Sequence, residues 1–401
     1  MKPVYIVEAL RTPRGRGLPA RKGRPAGSLH LVRPVELLSV LYRALETRGV
    51  DPTLVEELVL GCATQTHDLG SNIAKVSSLY AGWQVPAGTI NRACTSGLDA
   101  LRFGALQIQG GADVVVAGGV ESMSRVPMFS DNGPWYADPE VARATGFIHM
   151  GVAADLLATR EGFSRSELDE LAAESQTRAT RARNEGRFRS IVDVPRPDGS
   201  SVEKDENIRE ETTPALLAGL APAYAKLGAS GADAVALGRY PELGEVQHLH
   251  TPGTSPALAD AASVAVLASE DGVRKLGLGR RGRILSFANH AAEPILMLDG
   301  NVPSVGTALQ TAGLAPASVD VFEINESFAA VPLHFRRAFD LDSERVNPNG
   351  GAIAMGHPLG ATGGILLSTA LDELERADRE TAVLSICGAA GVTMSVVLER
   401  A

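Results

Sequence analysis

Apolar residues along the chain alternate between short continuous runs and runs that recur every three or four positions, which predicts an α/β protein. The continuous runs are typical of strands, and the last of them favours a buried parallel strand. The predicted strands are 4–7, 58–62 and 114–117. The periodic runs predict helices, the first of which has leucines on one face between an N-terminal proline and a C-terminal glycine. These helices are 34–48 and 95–109.

The second half of the chain repeats the plan of the first half. Residues 44–55 (ALETRGVDPTLV) align without gaps with residues 308–319 (ALQTAGLAPASV). Residues 97–119 have a weaker counterpart in residues 359–388, and both are typical of a helix, a turn and a strand. Chance similarity between Ala/Leu-rich helices is the alternative, but the shared Gly–Pro turn at equal spacing favours duplication. We therefore expect two similar α/β halves packed together.

A segment of different character separates the two halves. It begins with the Pro/Gly/Asp-rich stretch PMFSDNGPWYADPE and continues with a helix whose start carries a capping box, Ser164 and Glu167. A polar stretch with few apolar residues follows, so the segment is interpreted as a loop-rich insertion. The predicted organisation is an N-terminal half of residues 1–120 and 251–273, an inserted loop domain of residues 121–250, and a C-terminal half of residues 274–401.

Composition and charge argue against several classes of protein. The chain has 38 Lys and Arg against 47 Asp and Glu, a formal net charge of −9, which is unfavourable for general nucleic-acid binding. No apolar run is long enough to span a membrane, and the N-terminal apolar run is broken by Glu8. Three scattered cysteines form neither a disulfide framework nor a zinc motif. We expect a cytoplasmic protein that binds neither nucleic acid nor membranes.

Three reactive side chains lie in glycine-rich segments at predicted helix starts or strand ends, where α/β sheets carry their chemistry. Cys94 (NRACTSG) precedes a helix whose N-terminal dipole favours a thiolate, although a buried structural cysteine is the alternative. His357 (GHPLGATG) is a candidate base for such a nucleophile, or a structural histidine. Cys387 (SICGAAG) is a candidate proton carrier or a buried strand cysteine, and the buried interpretation is preferred for Cys62.

Several motifs occur together and in order from residue 11 to residue 391. They are RTP (11–13), NRACTSG (91–97), VESMS (120–124), HMG (149–151), NESFA (325–329), NPNGGAIAMGHPLGATG (347–363) and CGAAG (387–391). As a set they resemble the thiolases, enzymes that condense or cleave 3-ketoacyl-CoA thioesters. The resemblance implies a five-layered αβαβα fold with two similar halves and an inserted loop domain. It also implies CoA as a substrate, no permanently bound cofactor, no metal, and a homodimer or homotetramer.

The resemblance also implies roles for the matching residues. Cys94 would accept the acyl group. His357 would activate Cys94 and help to bind the thioester oxygen. Cys387 would act as acid and base at the substrate α-carbon. Asn325 would hold a water that stabilises the enolate oxygen with His357, and the backbone N–H groups of Cys94 and Ala389 would form a second oxyanion site. A Claisen reaction needs two such donor sets, and an acyl-cysteine predicts ping-pong kinetics.

Substrate binding is expected at further positions that match the family. The expected pocket residues are His149, Met150, Leu258, Phe328 and Gly388, of which the apolar ones could equally pack in the core. The phosphates of CoA need a local basic patch, and Arg183 and Arg187 in the Arg-rich run 178–189 are candidates. A solvated helix face is the alternative for that run. Residues 9–35 carry seven cations and no acidic residue, which indicates an anion-binding loop or an interface loop.

Some positions depart from the family pattern. Ala389 stands where glycine is common, and its N–H is available without strain only if its φ is negative. In the segment TPGTSPALADAAS (251–263), Thr254, Pro256 and Ala257 replace Asn, the Ser that contacts pantetheine, and Gly. Proline has neither hydroxyl nor N–H, so that CoA contact cannot be assigned. Ser327 replaces a common alanine, which is a mild change.

The favoured function is that of a degradative 3-ketoacyl-CoA thiolase of fatty-acid β-oxidation. Three alternatives stay open: a biosynthetic acetoacetyl-CoA thiolase, a non-catalytic relative that binds acyl-CoA or lipid, and a decarboxylating ketoacyl synthase, which usually needs a second catalytic histidine. His248 and His250 alternate on a predicted strand and therefore face the same side. A metal pair would need a third ligand, and the sequence suggests none nearby.

Overall fold

The computed structural model describes residues 2–401, which form a mixed α/β protein. The strands are β1 Val4–Arg11, β2 Gly15–Arg16, β3 Glu57–Gly61, β4 Ala87–Ile90, β5 Val114–Ser122, β6 Val194–Pro195, β7 Ser201–Val202, β8 Ala259–Ala268, β9 Gly282–Ala291, β10 Val321–Ile324, β11 Thr381–Cys387 and β12 Val392–Arg400. The helices are α1 Pro34–Thr47, α2 Ile73–Tyr80, α3 Ser96–Gly110, α4 Pro134–Ala137, α5 Pro139–Ala144, α6 Met150–Glu161, α7 Arg165–Asn184, α8 Pro214–Ala218, α9 Ala225–Leu227, α10 Asp233–Arg239, α11 Glu270–Leu276, α12 Asn301–Ala312, α13 Ala330–Phe339, α14 Ala352–Met355 and α15 Thr362–Ala377.

The sheet shows the internal duplication directly. Its strand order is β10-β11-β12-β9-β1-β8-β5-β3-β4, with β2 beside β8. The blocks β1-β8-β5-β3 and β9-β12-β11-β10 have the same order and meet where β1 pairs with β9 over three residue pairs. The predicted sequence repeat lies at equivalent places in the two blocks. Helix α1 leads through the turn Pro52–Leu54 into β3, and α12 leads through Pro316–Ser318 into β10.

Alternate residues of β5 show how the layers are built. Val114 and Val116 pack in one apolar cluster with the leucines of α1, whereas Val115 and Ala117 pack in another cluster with α3 and α15. This second cluster also contains residues of β11 and β12 from the other block. A third cluster holds α12 and α13 against the far face of that block. The resulting order is helices, strands, helices α3 and α15, strands, helices, which is the predicted αβαβα arrangement.

The central helices α3 and α15 approach each other very closely. A Cβ atom on Gly97 would lie 2.5 Å from the carbonyl oxygen of Gly360 and 3.0 Å from the amide nitrogen of Gly363. Only glycine permits this contact between backbones. Because α3 begins just after Cys94 and α15 begins just after His357, the contact brings both side chains to one end of the middle layer.

The structure corrects two details of the predicted elements. β5 is parallel to β3 but antiparallel to β8, so it is not a purely parallel strand. Residues 247–251 form no strand, because Asp155 takes the hydrogen bonds of this segment. The predicted capping box of α7 is present, with the N–H of Ser164 donating to Glu167 at 2.7 Å. Within residues 2–401, no helix has the length and apolar character needed to cross a membrane.

Candidate active site

Four of the sequence-predicted residues lie at the ends of neighbouring elements. Asn325 follows β10 and Cys387 ends β11, and these two strands are parallel neighbours, so their carboxyl ends meet at one edge. Cys94 and His357 come from the starts of the central helices. Cys94, His357 and Cys387 all line one cavity, whereas Asn325 lies directly behind its wall. The structure therefore gathers residues that are up to 293 positions apart in the sequence.

The cavity has a volume of about 430 Å³ and a mostly apolar wall, as is usual for small-molecule sites. The five predicted pocket residues all line it, and so does Ala389, which stands where the family commonly has glycine. The sequence analysis assigned no pocket role to much of the remaining wall, although Met123, Ser327 and Leu359 lie within the quoted motifs. Wall residues that were not predicted are Met123, Met128, Ala223, Tyr224, Pro252, Ser255, Leu298, Ser327 and Leu359.

The environment of Cys94 favours the thiol form of its side chain. Desolvation raises the pKa of Cys94 to about 11, although a hydrogen bond from the backbone N–H of Ala389 acts in the opposite direction. Desolvation therefore outweighs the effect of the helix start, which on its own would favour a thiolate. A base must take the proton when this sulfur attacks a substrate.

His357 is suited to accept such a proton. Its pKa is lowered to about 3, first by desolvation and then by the charge of Arg14, so the imidazole is neutral near pH 7. Its Nδ1 is 2.8 Å from Oγ1 of Thr362, the first residue of α15. Its buried Nε2 has no hydrogen-bond partner in the part of the chain that the structure describes. If Nδ1 donates to Thr362, then Nε2 carries the free lone pair.

Cys387 is joined to Asn325 through Ser327. The Sγ of Cys387 is 3.6 Å from Oγ of Ser327, and Nδ2 of Asn325 donates to the same Oγ at 2.9 Å. Burial raises the pKa of Cys387 to about 12, while the contact with Ser327 acts to lower it. Oδ1 of Asn325 has no partner among residues 2–401, and Asn325 lines a small separate chamber with Arg14 and Glu323.

Backbone strain lies close to both cysteines of the cavity. Ala389 is not among the residues with positive φ, so its replacement of glycine leaves its N–H free to point at Cys94 without strain. Two alanines near the cysteines do have a positive φ: Ala390, at 57°, and Ala93, at 48°. Ala93 immediately precedes Cys94. A left-handed alanine costs about 1–2 kcal/mol, so the fold holds both turns against a local preference.

Aromatic contacts organise another part of the cavity wall. The ring of Tyr224 stacks on His149, with centroids 5.5 Å apart, and meets Phe328 edge to face at 5.8 Å. Nδ1 of His149 accepts a hydrogen bond from the N–H of Gly151 at 3.0 Å, and burial lowers its pKa. His149 is therefore a neutral, fixed part of the wall.

Residues 251–258, part of the segment that departs from the family pattern, form one lip of the cavity. Pro256 and Leu258 line it, and Leu258 is 41% exposed at its mouth. Thr254 is buried and its carbonyl accepts from the N–H of Ala329 at 3.0 Å, which fixes the lip to the start of α13. Ser255 accepts a hydrogen bond from the hydroxyl of Tyr224 at 3.1 Å. Among the residues of this lip that line the cavity, only Ser255 carries a hydroxyl, and residue 256 does not.

The predicted phosphate-binding arginines lie apart from the cavity wall. Arg183 pairs with Glu210, and Arg187 pairs with Glu185 and donates to Asn349. Neither residue lines the cavity.

Four of the seven cations in the basic segment 9–35 are also engaged. Arg11 pairs with Asp205, Arg14 donates to the carbonyl of Gly356, and ion pairs hold two others, Arg16 and Arg33. The three that remain lie in an exposed turn and make no ion pair within residues 2–401: Arg21, Lys22 and Arg24.

His248 and His250 have a structural explanation. Nδ1 of each ring is 2.8 Å from a carboxylate oxygen of Asp155, and Nε2 of His248 is 3.1 Å from Asp233. Nε2 of His250 accepts from the N–H of Ala330 at 3.4 Å. All four ring nitrogens are therefore occupied. No group of three side chains suited to a metal ion occurs among residues 2–401.

Comparisons with known proteins agree with this geometry. Models of the thiolase N-terminal domain and the thiolase C-terminal domain match residues 4–236 and 278–400. The chain is 38% identical over 415 aligned residues to a 3-ketoacyl-CoA thiolase of Klebsiella pneumoniae and to one of Shewanella denitrificans. Each alignment covers 100% of this chain and 100% of the relative. A crystal structure of the Bacillus anthracis acetyl-CoA acetyltransferase matches with a TM-score of 0.85 and 32% identity, over 100% of this chain and 99% of that one. The chain belongs to the thiolase family.

Proposed function

We propose that this protein is an acyltransferase that cleaves 3-ketoacyl-CoA with CoA to acyl-CoA and acetyl-CoA, or runs the reverse condensation, through an acyl group on Cys94. One observation carries the proposal: the sulfurs of Cys94 and Cys387 and the imidazole of His357 all face one apolar cavity. A nucleophile, a base and a second proton carrier are the groups that this chemistry requires.

In the cleavage direction, Cys94 attacks the 3-keto carbon while His357 takes the thiol proton. The N–H groups of Cys94 and Ala389 are assigned to the oxyanion on that carbon. The bond between C2 and C3 then breaks, and its electron pair passes into the enolate of the departing acetyl-CoA. One well-placed oxyanion donor is worth about 3 kcal/mol in such a step.

The enolate is protonated at C2 by the thiol of Cys387, which becomes a thiolate. That thiolate takes the proton of the incoming CoA thiol, whose sulfur attacks the acyl group on Cys94. As the acyl group leaves, His357 returns its proton to Cys94. The two proton carriers thus finish in their starting states, and the products are acyl-CoA and acetyl-CoA.

The degradative direction, in fatty-acid β-oxidation, is favoured because relatives at 38% identity over their whole length are named 3-ketoacyl-CoA thiolase. The biosynthetic alternative, condensation of two acetyl-CoA molecules, is favoured by the Bacillus anthracis acetyl-CoA acetyltransferase, at 32% identity. The chain-length preference distinguishes the two, since an acetoacetyl enzyme needs less of the apolar wall.

CoA phosphates are assigned to the exposed turn at residues 20–25. Two backbone hydrogen bonds between Arg21 and Arg24, of 3.0 and 2.9 Å, close this turn. Its base is fixed to the lip of the cavity, because the N–H of Gly17 donates to the carbonyl of Leu258 at 2.8 Å. Three unpaired cations on an acidic protein, next to the cavity mouth, suit the phosphates of CoA.

A homo-oligomer is proposed from the free edge of the sheet. Strand β4 is the last in the strand order, and its residues are only half-buried. The neighbouring helix α2 exposes Val76, Leu79 and Tyr80, which are 42%, 56% and 48% accessible. An open strand edge beside an apolar patch favours pairing with a second copy.

The two remaining alternatives have less support. A non-catalytic acyl-CoA carrier needs no cysteine pair facing the ligand, yet Cys94 and Cys387 both line the cavity. A decarboxylating synthase needs a second catalytic histidine. His149 also lines the cavity, but its Nδ1 already accepts a backbone hydrogen bond and its ring is stacked. Release of carbon dioxide from a malonyl thioester would favour that alternative.

The test uses 3-ketoacyl-CoA substrates of increasing chain length, assayed with CoA, and mass spectrometry of the protein after incubation with acyl-CoA. An acyl group should appear on the peptide that contains Cys94 and not on that of buried Cys62, which serves as an internal control. Cys94→Ser should abolish both half-reactions. Cys387→Ala should keep acylation but lose turnover by about 10²–10⁴-fold. Absence of acyl-enzyme and of thiolysis with every substrate would refute the proposal.

A further inference from the structure

Ser327 links Asn325 to the cavity. Its side chain is buried, lines the cavity beside Cys387, and accepts the hydrogen bond of the Asn325 amide at 2.9 Å. Asn325 itself lies behind the wall. A hydroxyl that accepts from an amide has its own proton free to donate elsewhere.

The same hydroxyl has two acceptors within reach on one residue. It donates to the backbone carbonyl of Cys387 at 3.3 Å, which is long for an O–H···O hydrogen bond. It also lies 3.6 Å from the Sγ of Cys387, whose thiol donates to it. The weak bond to the carbonyl can therefore be exchanged for one to the sulfur by rotation about a single side-chain bond.

We propose that Ser327 is a positioning residue that stabilises the thiolate of Cys387 and that connects Asn325 to this sulfur. The inference rests on the proposed acid–base role of Cys387. When Cys387 is a thiol, its S–H points to Oγ of Ser327. When the thiol has given its proton to the substrate carbon, the hydroxyl of Ser327 donates to the negative sulfur instead.

The chain of donors runs in one direction in the thiolate state. The amide of Asn325 donates to Ser327, and Ser327 donates to the sulfur, so each hydrogen bond polarises the next one. No proton leaves either Asn325 or Ser327, so the chain changes only the acidity of Cys387. Hydrogen bonds to a charged group are stronger than those to a neutral one, so the thiolate gains more than the thiol.

Other groups near Cys387 act in different ways. Negative charge on Cys94 or on Asp299 would disfavour a thiolate at Cys387, whereas the side chain of Asn301 in α12 acts to lower the pKa of Cys387, although its Nδ2 makes no hydrogen bond within residues 2–401. His357 faces the same cavity as a neutral ring. The partner of Cys387 on β12 is the uncharged Thr393. Of these surroundings, only the hydroxyl of Ser327 is removed by Ser327→Ala.

The test measures exchange of the acetyl hydrogens of acetyl-CoA for deuterium as a function of pH, together with acetylation of Cys94 by mass spectrometry. Ser327→Ala should slow the exchange by about 10- to 100-fold near pH 8 and move its apparent pKa upward by about one to two units, because one hydrogen bond to the charged sulfur is lost. Acetylation of Cys94 should stay as in the unaltered protein. Ser327→Thr, which retains the hydroxyl, should restore the profile.

The control is Ser368→Ala, since Ser368 is a buried serine of α15 whose hydroxyl donates to the carbonyl of Ile365 and does not line the cavity. It should leave the pH profile unchanged. An unshifted profile in Ser327→Ala, or an equal loss of acetylation and exchange, would overturn the inference while the proposed function stands. Absence of acetyl-Cys94 in the unaltered protein would instead refute the proposed function.

Discussion

Gly363 in α15 lies so close to Gly97 in α3 that a Cβ atom on Gly363 would be 2.9 Å from the Cα of Gly97. This contact sets the distance between the two helix starts that carry Cys94 and His357. It is therefore a packing feature on which the cavity depends.

Gly363→Ala should destabilise the protein by about 1–3 kcal/mol, the usual cost of overpacking, and reduce acylation of Cys94. The matched control is Gly306→Ala in α12, where no atom lies within 4 Å of the added Cβ. That control should be neutral or stabilising by up to about 1 kcal/mol, because alanine is the better helix former. Urea unfolding and acyl-enzyme formation measure both effects. Equal stability of the two variants would contradict the packing argument.

The raised pKa of Cys94, about 11, predicts a steep pH dependence of its alkylation in the free enzyme. Only the thiolate reacts, so the rate of inactivation by iodoacetamide should rise about tenfold per pH unit between pH 7 and 9. Cys94→Ser removes the fast site and controls for slower reaction at Cys387, whose pKa is higher still. A rate that levels off below pH 8 would show that the cavity stabilises the thiolate.

Ala390→Gly should raise the free energy of unfolding by up to about 1 kcal/mol, because glycine adopts a φ of 57° without the left-handed penalty. Ala389→Gly is the matched control one residue earlier. It should lower stability by about 0.4–1 kcal/mol, since it only adds freedom to the unfolded chain. Thermal unfolding of the two variants gives the comparison. A loss in both would mean that Ala390 makes contacts that outweigh its strain.

Removing the cations of the exposed turn tests the assignment of the CoA phosphates. The triple variant Arg21→Ala, Lys22→Ala, Arg24→Ala should raise KM for CoA about tenfold at low salt, with less effect at high salt. Pantetheine thioesters lack the adenosine phosphates, so their KM should not change. Arg43→Ala, an exposed cation of α1, serves as the control. A triple variant with unchanged KM for CoA would contradict the assignment.

Part of the fold could be predicted from the sequence because each repeated segment encodes its own local structure. The paired segments 44–55 and 308–319 each encode a helix end, a proline turn and the approach to a strand, and in the structure β3 and β10 begin just after them. The strand expected around His248 and His250 was wrong, since alternation alone could not show that Asp155, nearly a hundred positions earlier, binds both rings.

The cavity itself was only partly predictable. Motifs located the cysteines and His357, but Tyr224 and Met128 reach the wall through tertiary packing that leaves no local pattern. The protonation of Cys94 was also beyond the sequence. A helix start argues for a thiolate, whereas the burial that outweighs it depends on residues from the whole chain.

The two blocks, which meet where β1 pairs with β9, supply different reactive groups to the cavity. The first block supplies Cys94, and the second supplies His357, Cys387 and Asn325, so neither copy of the ancestral unit retains a whole set of reactive groups. Under the proposed mechanism, the first block would carry the acyl group and the second block would carry the groups that transfer protons. A chain severed between α11 and β9 would yield two fragments that are each inert, and chemistry would return only when they reassociate.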